Sequence, residues 1–390
     1  MRNTSLLLLL ICLLYSCSTS SKENSKAKGS NKEDLLEHYF MDLSAPKTKF
    51  TDIIESVELI RLEETEFSLL SRIRQVLWHQ NRLIVNNGNR EVFIFDATGN
   101  FVNKISRFGD GPEEYDRISE LWIDDDRLSI YSRISGTIKT YTFDGAFISS
   151  TRIPSEFARM GHLLPLKDQY VIETNFSALN DSSRYKWVSL DKNFNVSGKY
   201  LPFELTDEEP PPHYSSGLPI ANYKDGLLLF RSHSDTIYQF TNDSLTPLIH
   251  LDFGNNWHWK GHSRPTYEML GKVETDDIPK AWEITAHISE NYAYAKALIG
   301  MSHWEHFIID RNSEVITRLD IRKNLVDEFE ISPLKWVDNK LSFTLASADV
   351  AEFLSRLSKD RITYREGTSL SAIEVSENPV LALFTFKNND

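Results

Sequence analysis

An apolar strand, an Asp-containing turn and a second strand opening on an apolar residue recur five times along this chain, and no other feature limits the fold as much. The first copy reads Val92-Phe-Ile-Phe-Asp96-Ala-Thr-Gly99-Asn-Phe101-Val, and the second Thr140-Tyr-Thr-Phe143-Asp144-Gly145-Ala-Phe147-Ile. Looser copies run over Val188–Val196, Ile237–Leu245 and Phe307–Ile316, with Asp191, Asp243 and Asp310 at their turns. Asp and Asn suit such turns because their side chains hydrogen-bond the local backbone, and Gly supplies positive φ. Asp96, Asp144, Asp191 and Asp243 follow one another at nearly even intervals, and the longer interval before Asp310 takes in a segment rich in Trp and His. A period near 48 that holds four short strands is the size of one propeller blade.

The strand pattern fills five such units, at 73–105, 118–153, 162–200, 218–252 and 283–321. The last stretch supplies three strands, near 333–337, near 340–345 and at Val380–Phe386. Its missing fourth strand is available at the other end of the chain, in Val57–Leu62. Pairing the two ends removes the exposed sheet edges that make open sheets prone to aggregation. The expected fold is therefore all-β: a six-bladed β-propeller closed by an N-terminal strand pairing with the last blade. Two helices are expected besides, a short one at Asp34–Asp42 and another at Ala348–Ser358. The second places Val350, Phe353, Leu354 and Leu357 on one face.

Ahead of the repeat the chain has a different character. Arg2 precedes an apolar run, Leu6–Leu14, whose nine residues would rise only ~13 Å as a helix, far short of the ~30 Å core of a bilayer. Such a run fits the apolar region of a signal peptide, here residues 1–16. It ends in Leu14-Tyr15-Ser16-Cys17, a match to the bacterial lipobox, where a thiol is needed to carry the diacylglyceryl group as a thioether. Cys17 is thus the expected lipidation site, its acyl chains of the palmitate type. Residues 17–32 are rich in Ser, Lys, Asn and Gly and are expected to form a tether spanning roughly 20 Å. The domain from 33 to 390 then carries the propeller. The chain has two cysteines, Cys12 and Cys17, so cleavage would leave a single, acylated one. An intrachain disulfide, a zinc–thiolate cluster and a cysteine nucleophile are then excluded.

Losing Arg2 with the leader takes the formal charge from −13 to about −14. No dense Lys/Arg cluster offsets it, which argues against nucleic acid as a partner and leaves the lipid as the sole contact with a membrane.

Residues 104–118, Lys-Ile-Ser-Arg-Phe-Gly-Asp-Gly-Pro-Glu-Glu-Tyr-Asp-Arg-Ile, carry a resemblance. Gly109, Gly111, Pro112, Glu114 and Tyr115 match the Gly-x-Gly-Pro-Gly-Glu-Tyr linker of the six-bladed, NHL-like propeller lipoproteins of Bacteroidota, while Glu113 replaces a glycine. Asp235–Tyr238, Leu251–Gly254 and Glu377–Leu383 agree, so the resemblance spans about residues 50–386. It implies the propeller fold and a place in the cell envelope, and Ser18 directly after Cys17 resembles the pattern of lipoproteins sent on to the outer membrane. It brings no agreed activity.

Two segments hold the candidate ligand-binding residues. The linker crosses from one blade to the next, and Arg107, Glu114 and Tyr115 are candidates for bonding a polar ligand at the channel. The competing reading is a plain connection between blades. The long insertion at about 255–282 offers Trp257, His258, Trp259, His262 and Arg264, with Tyr267 behind them. Aromatic faces stack on sugars, and Arg and His bind hydroxyls or carboxylates. Here the competing reading is a loop that packs its aromatics on the blade. His258 and His262 have i, i+4 spacing but no carboxylate between them, and no metal site is assigned. Asp124-Asp125-Asp126 is read as a strand turn rather than a calcium loop, and Pro210–Tyr214 as a stiff rim loop. Gly-x-Ser-x-Gly, His-Glu-x-x-His and phosphate-binding glycine loops are absent from the sequence. No cofactor is expected. The leading reading is a binding module for a glycan, a peptide or an envelope protein. The alternative is a hydrolase or lyase acting on a polysaccharide or small ester, which would need a His–carboxylate pair or two carboxylates at the channel mouth.

Overall fold

The structure, a computed structural model, describes residues 36–88, 90–158, 160–174, 177–203, 219–230, 233–261, 266–275, 278–301 and 303–387. The expected signal peptide (1–16), Cys17, the expected tether (17–32) and residues 210–214 lie outside the described residues.

Six antiparallel sheets form the six blades of a β-propeller. Blade 1 consists of Gln75–His79, Arg82–Asn86, Val92–Asp96 and Phe101–Ile105, counted from the axis outwards. Blade 2 consists of Glu120–Asp124, Arg127–Ser132, Thr137–Tyr141 and Phe147–Arg152, and blade 3 of Leu163–Leu166, Gln169–Glu173, Tyr185–Asp191 and Val196–Pro202. Blade 4 is Ile220–Tyr223, Gly226–Phe230, Thr236–Thr241 and Ser244–Asp252, and blade 5 is Ala281–Ile288, Tyr292–Ile299, His303–Asp310 and Val315–Asp320. Blade 6 takes Ile331–Val337, Lys340–Leu345 and Val380–Phe386 from the C-terminal part, and Ile54–Ile60 from the N-terminal part.

The repeated aspartates sit between the third and fourth strands of their blades. Asp96 Oδ1 accepts hydrogen bonds from the Thr98 and Asn100 amides, both at 2.9 Å, and Asp191 Oδ1 does the same for Asn193 and Asn195 at 2.8 Å. In blade 4 the job passes to Asn242 and Asp243, both at positive φ, the two-residue turn that matches strand twist. Asp125 and Asp126 adopt that same conformation between the first two strands of blade 2, so the acidic triplet is a hairpin turn. A register shift recurs in the third–fourth strand pair of blades 1 to 4, which adds local twist at the same place in each.

Closure follows the sequence expectation. Ile54–Ile60 pairs antiparallel with Val380–Phe386, Val57 lying opposite Phe384 and Glu58 opposite Leu383. Phe50, Phe343, Phe353, Phe384 and Phe386 pack there at 5.1–6.3 Å between ring centroids. The helix Ser347–Ser355 buries Val350, Phe353 and Leu354 in this cluster, and Leu357 follows just beyond it.

The N-terminal segment does more than close the last blade. The short helix expected at Asp34–Asp42 is replaced, over its described part, by the strand Glu37–Phe40, parallel to the outer strand of blade 4 with Tyr39 opposite Leu251. The reason is the period. Tyr39 and Met41 are buried while His38 and Phe40 face outwards, an alternation of two that only a strand satisfies. Thr48–Lys49 then adds to the edge of blade 5, and Ile362–Tyr364 lies parallel to Ile54–Ile60 on blade 6. Three consecutive blades therefore carry a fifth strand. Placing a carboxylate on the closing strand tests how much the ring relies on it. Val57→Asp, at a fully buried site, should lower the urea-unfolding free energy by about 3 kcal/mol or more. A loss under about 1 kcal/mol would mean the strand is dispensable.

Candidate functional site

A cavity of about 620 Å³ opens on the propeller axis, at the mouth from which the inner strands start. Blade 5 gives it the largest wall, Ile284 to His287 from the inner strand and Lys296 from the second. Blade 1 adds Arg72 and Arg74 just before its inner strand, and blade 3 adds His162 in the corresponding place. Ala221, Phe230 and Ser332 to Leu334 complete the wall from blades 4 and 6. Arginine, lysine and histidine line it, and no carboxylate among the described residues does.

Charge is nevertheless close behind. Glu120, the almost fully buried first residue of blade 2, forms an ion pair with His162 Nδ1. Burial works against the charged imidazole, but the Glu120 carboxylate beside it and Glu173 through space outweigh that and raise its pKa. Glu173, the last residue of its strand, has its carboxyl pKa raised by burial, an effect His162 and Lys186 offset only in part. An imidazole of raised pKa thus lies close to a carboxyl of raised pKa.

On the blade 5 wall the logic is reversed. Burial and the nearby Lys296 ammonium hold His287 neutral, with its pKa lowered to about 4. Lys296 is itself pushed below the usual lysine range by burial, against the through-space pull of Glu283. Its ammonium lies 4.7 Å from the centre of the Trp304 ring and has no ion-pair or hydrogen-bond partner among the described residues. Thr285 lies directly opposite Lys296 in the strand register, and its hydroxyl is shielded and also without a partner among them. On blade 1, Arg72 donates through Nε to the Asn87 carbonyl at 3.4 Å. Gly88, at φ +77°, leaves the space its guanidinium occupies, since a Cβ there would come within 3.0 Å of it.

Most of the residues singled out from sequence lie elsewhere. Tyr115 is fully buried between blades 1 and 2, and its hydroxyl donates to the Arg90 carbonyl at 2.6 Å. It is a core residue and does not face the channel. Glu114 folds back to accept from the Gly111 amide at 2.9 Å, which explains why Gly109 and Gly111 stand beside it. Arg107 donates to the Gly145 carbonyl at 2.9 Å and pairs with Glu113. The linker thus ties two blades together, and none of the three lines the cavity.

The insertion is corrected in the same way. Trp257 is 6% exposed and stacks on Phe253, while Trp259 is 3% exposed and donates through Nε1 to the Trp282 carbonyl at 2.7 Å. These aromatics are core because each indole finds apolar partners from blades 4 and 5. His258 donates to the Met269 carbonyl at 2.7 Å, at the helix Tyr267–Thr275. Tyr267 remains exposed. His262 and Arg264 lie outside the described residues. Sequence reasoning missed Arg72, Arg74, Glu120, His162, Glu173, Thr285, His287 and Lys296. For Lys296 the signal was a charged residue inside an otherwise apolar strand, Tyr292-Ala-Tyr-Ala-Lys296-Ala-Leu-Ile299, whereas Arg72, Arg74 and His162 precede their strands and carry no such signal.

The profile of a family described as a domain of unknown function, DUF4934, matches residues 40–385. The chain belongs to the DUF4934 family. A search of the curated proteins finds no match to its sequence. Among solved structures, this DUF4934 chain is similar to a Bacteroides fragilis protein described as exported, at 15% identity and a TM-score of 0.69, covering 91% of this chain and 99% of the other. It is also similar to a DUF4221 family member from Bacteroides vulgatus, at 10% identity and a TM-score of 0.50, covering 86% and 97%. At these identities the likeness extends to the fold.

The two histidines of the DUF4934 cavity give opposite pH dependences. Between pH 6.5 and about 4 the unfolded chain takes up a proton at residue 287 that the native state refuses, so stability falls on acidification by up to about 3 kcal/mol. His162 contributes stability that is fully present below its unfolded pKa and lost as pH rises through its raised folded value. Urea unfolding from pH 4 to 8 should show a flatter acid limb for His287→Gln. An unchanged limb would mean that burial does not hold His287 neutral.

Proposed function

We propose that this protein is an outer-membrane lipoprotein, anchored through Cys17, whose propeller binds a ligand in its axial cavity. The lipobox Leu14–Cys17 and the polar stretch after it support the anchor. The resemblance of the linker to envelope propellers, and a structural neighbour described as exported, support the compartment. Binding rests on one observation: five blades converge on a 620 Å³ cavity with cationic and apolar walls, a volume that suits a small ligand or the end of a longer chain. A glycan, a peptide terminus or a projecting segment of an envelope protein would fit this role. The site moves accordingly, from the 255–282 insertion to the axis.

Two outcomes test the halves of this reading. Cys17→Ala should shift the protein from the membrane fraction to the soluble one and abolish palmitate labelling, and labelling that survives would remove the anchor. For the cavity, a thermal-shift screen of the full chain in detergent against glycans and peptides should give a saturable rise in melting temperature, about 2.7 kcal/mol of stabilisation at a hundredfold excess over Kd. Ala286→Trp, which fills the cavity from its blade 5 wall, should abolish that rise. A shift that survives the tryptophan places binding elsewhere.

A second reading, a hydrolase or lyase acting on a polysaccharide or small ester, is favoured by the Glu120–His162 pair beside Glu173. His162 lines the cavity and the two carboxyls lie just behind it, and an imidazole and a carboxyl of raised pKa are the kind of groups that acid–base chemistry uses. Ligands recovered unchanged from the screen support the binding module, whereas cleaved products that disappear with Glu173→Gln support the enzyme.

A further inference from the structure

The chain carries a formal charge of −13, and many of its described cations are neutralised in ion pairs on the outer strands and turns. Glu305 alone gathers Lys47, His303 and Arg318, and Glu58 gathers Lys340 and Arg365. Against that background the axial cavity is anomalous. It is lined by Arg72, Arg74 and Lys296, with the His162 imidazole at its edge, and by no carboxylate among the described residues.

Lys296 is the most informative of these groups. A lysine can usually snorkel its ammonium to water, but this one lies on the second strand of a blade, partly shielded, against the face of Trp304 and within the through-space pull of Glu283. An unpaired ammonium removed from water is unfavourable, and so is an unpaired hydroxyl. The Thr285 hydroxyl lies opposite Lys296 in the register and is a second hydrogen-bonding group of the wall with no partner among the described residues. A ligand oxygen carrying negative charge satisfies both at once, accepting from the ammonium and from the hydroxyl. Glu173 and Glu120 do not serve, because Glu120 is engaged by His162 and neither lines the cavity.

We propose that the axial cavity takes its ligand by an anionic oxygen group, a carboxylate, sulfate or phosphate, held between the Lys296 ammonium and the Thr285 hydroxyl, with Arg72 and Arg74 adding charge from the blade 1 wall. This rests on the cavity being the binding site, as proposed above, and names the chemistry that it selects. Neutral residues of the same ligand would lie along Phe230 and the apolar part of the wall.

The experiment is isothermal titration calorimetry of the full chain in detergent with four matched probes: galacturonate, galactose 6-sulfate, galactose 6-phosphate and galactose. At least one acidic sugar should bind saturably and at least thirtyfold more tightly than galactose, weakening as salt is added. The acid that binds best identifies the anion. Lys296→Met should lower the affinity for that acid at least tenfold, and Thr285→Val should lower it severalfold. Lys296→Met should also raise the melting temperature of the free protein, because it removes an unpaired buried charge. A variant that merely unfolds would move that temperature the other way, and Lys296→Arg, which keeps the charge, should retain most of the binding. Acids that bind no better than galactose, or a Lys296→Met protein that keeps its affinity for them, would overturn the assignment. If galactose binds as well as the acids and Ala286→Trp blocks it, the anion assignment fails while the cavity reading stands. If Ala286→Trp leaves acid binding intact, the cavity reading itself fails.

Discussion

The hydrogen-bonded pairing of Ile54–Ile60 with Val380–Phe386 is the interaction on which the rest of the molecule depends. A propeller blade is a small sheet with little core of its own, and it is stable only when both faces are covered by neighbours. Without the N-terminal strand, blade 6 would end on an open edge and the aromatic cluster of Phe50, Phe343, Phe353, Phe384 and Phe386 would lose one wall. The same segment fastens blades 4 and 5 on its way in. At their junction Arg311 donates to Glu37 and, at 2.9 Å, to the Tyr223 hydroxyl, so a blade 5 turn, a blade 4 strand and the added edge strand share one guanidinium. The cavity wall that carries Lys296 and Thr285 belongs to blade 5, one of the three blades reinforced in this way.

The electrostatics of the axis reflect burial, which lowers the pKa of both Lys296 and His287 on the two inner strands of blade 5. The outer rim shows the opposite case. Glu305 keeps its charge with a pKa lowered to about 2 because Arg318, His303 and Lys47 donate to it and outweigh its burial. Blade 5 thus holds an ion cluster around Glu305 on its third strand and a cationic wall, at Lys296 on its second, towards the axis.

Much of the fold could be read from the chain because its information is local. Asp96 and Asp191 fix their turns through bonds to amides just two and four positions further on, so the blade period is written into the turns themselves. The closing strand was legible too, since only one blade lacked a partner. The edge strand Glu37–Phe40 was not, because so short a run does not separate a strand from a helix, and its partner, Ser244–Asp252, belongs to a blade far along the chain. Trp257, Trp259 and Tyr115 misled for a related reason: an aromatic in a connecting segment looks the same whether it faces solvent or core, and only its neighbours from other blades decide. The cavity residues were hidden because they are scattered over five blades, with no more than two basic residues from any one. Arg72, His162 and Lys296 are brought together by the ring and by nothing in their spacing.

Closure between the two ends also governs when the fold can form. The partner of Val57 is Phe384, close to the C-terminal end, so the last blade cannot be completed until nearly the whole chain is at hand. Long-range pairing of this kind slows folding, since loop entropy is lost before contacts are gained. Until Val380–Phe386 is at hand, Ile54–Ile60 has no antiparallel partner, so a chain cut short anywhere before its last strand leaves the ring open.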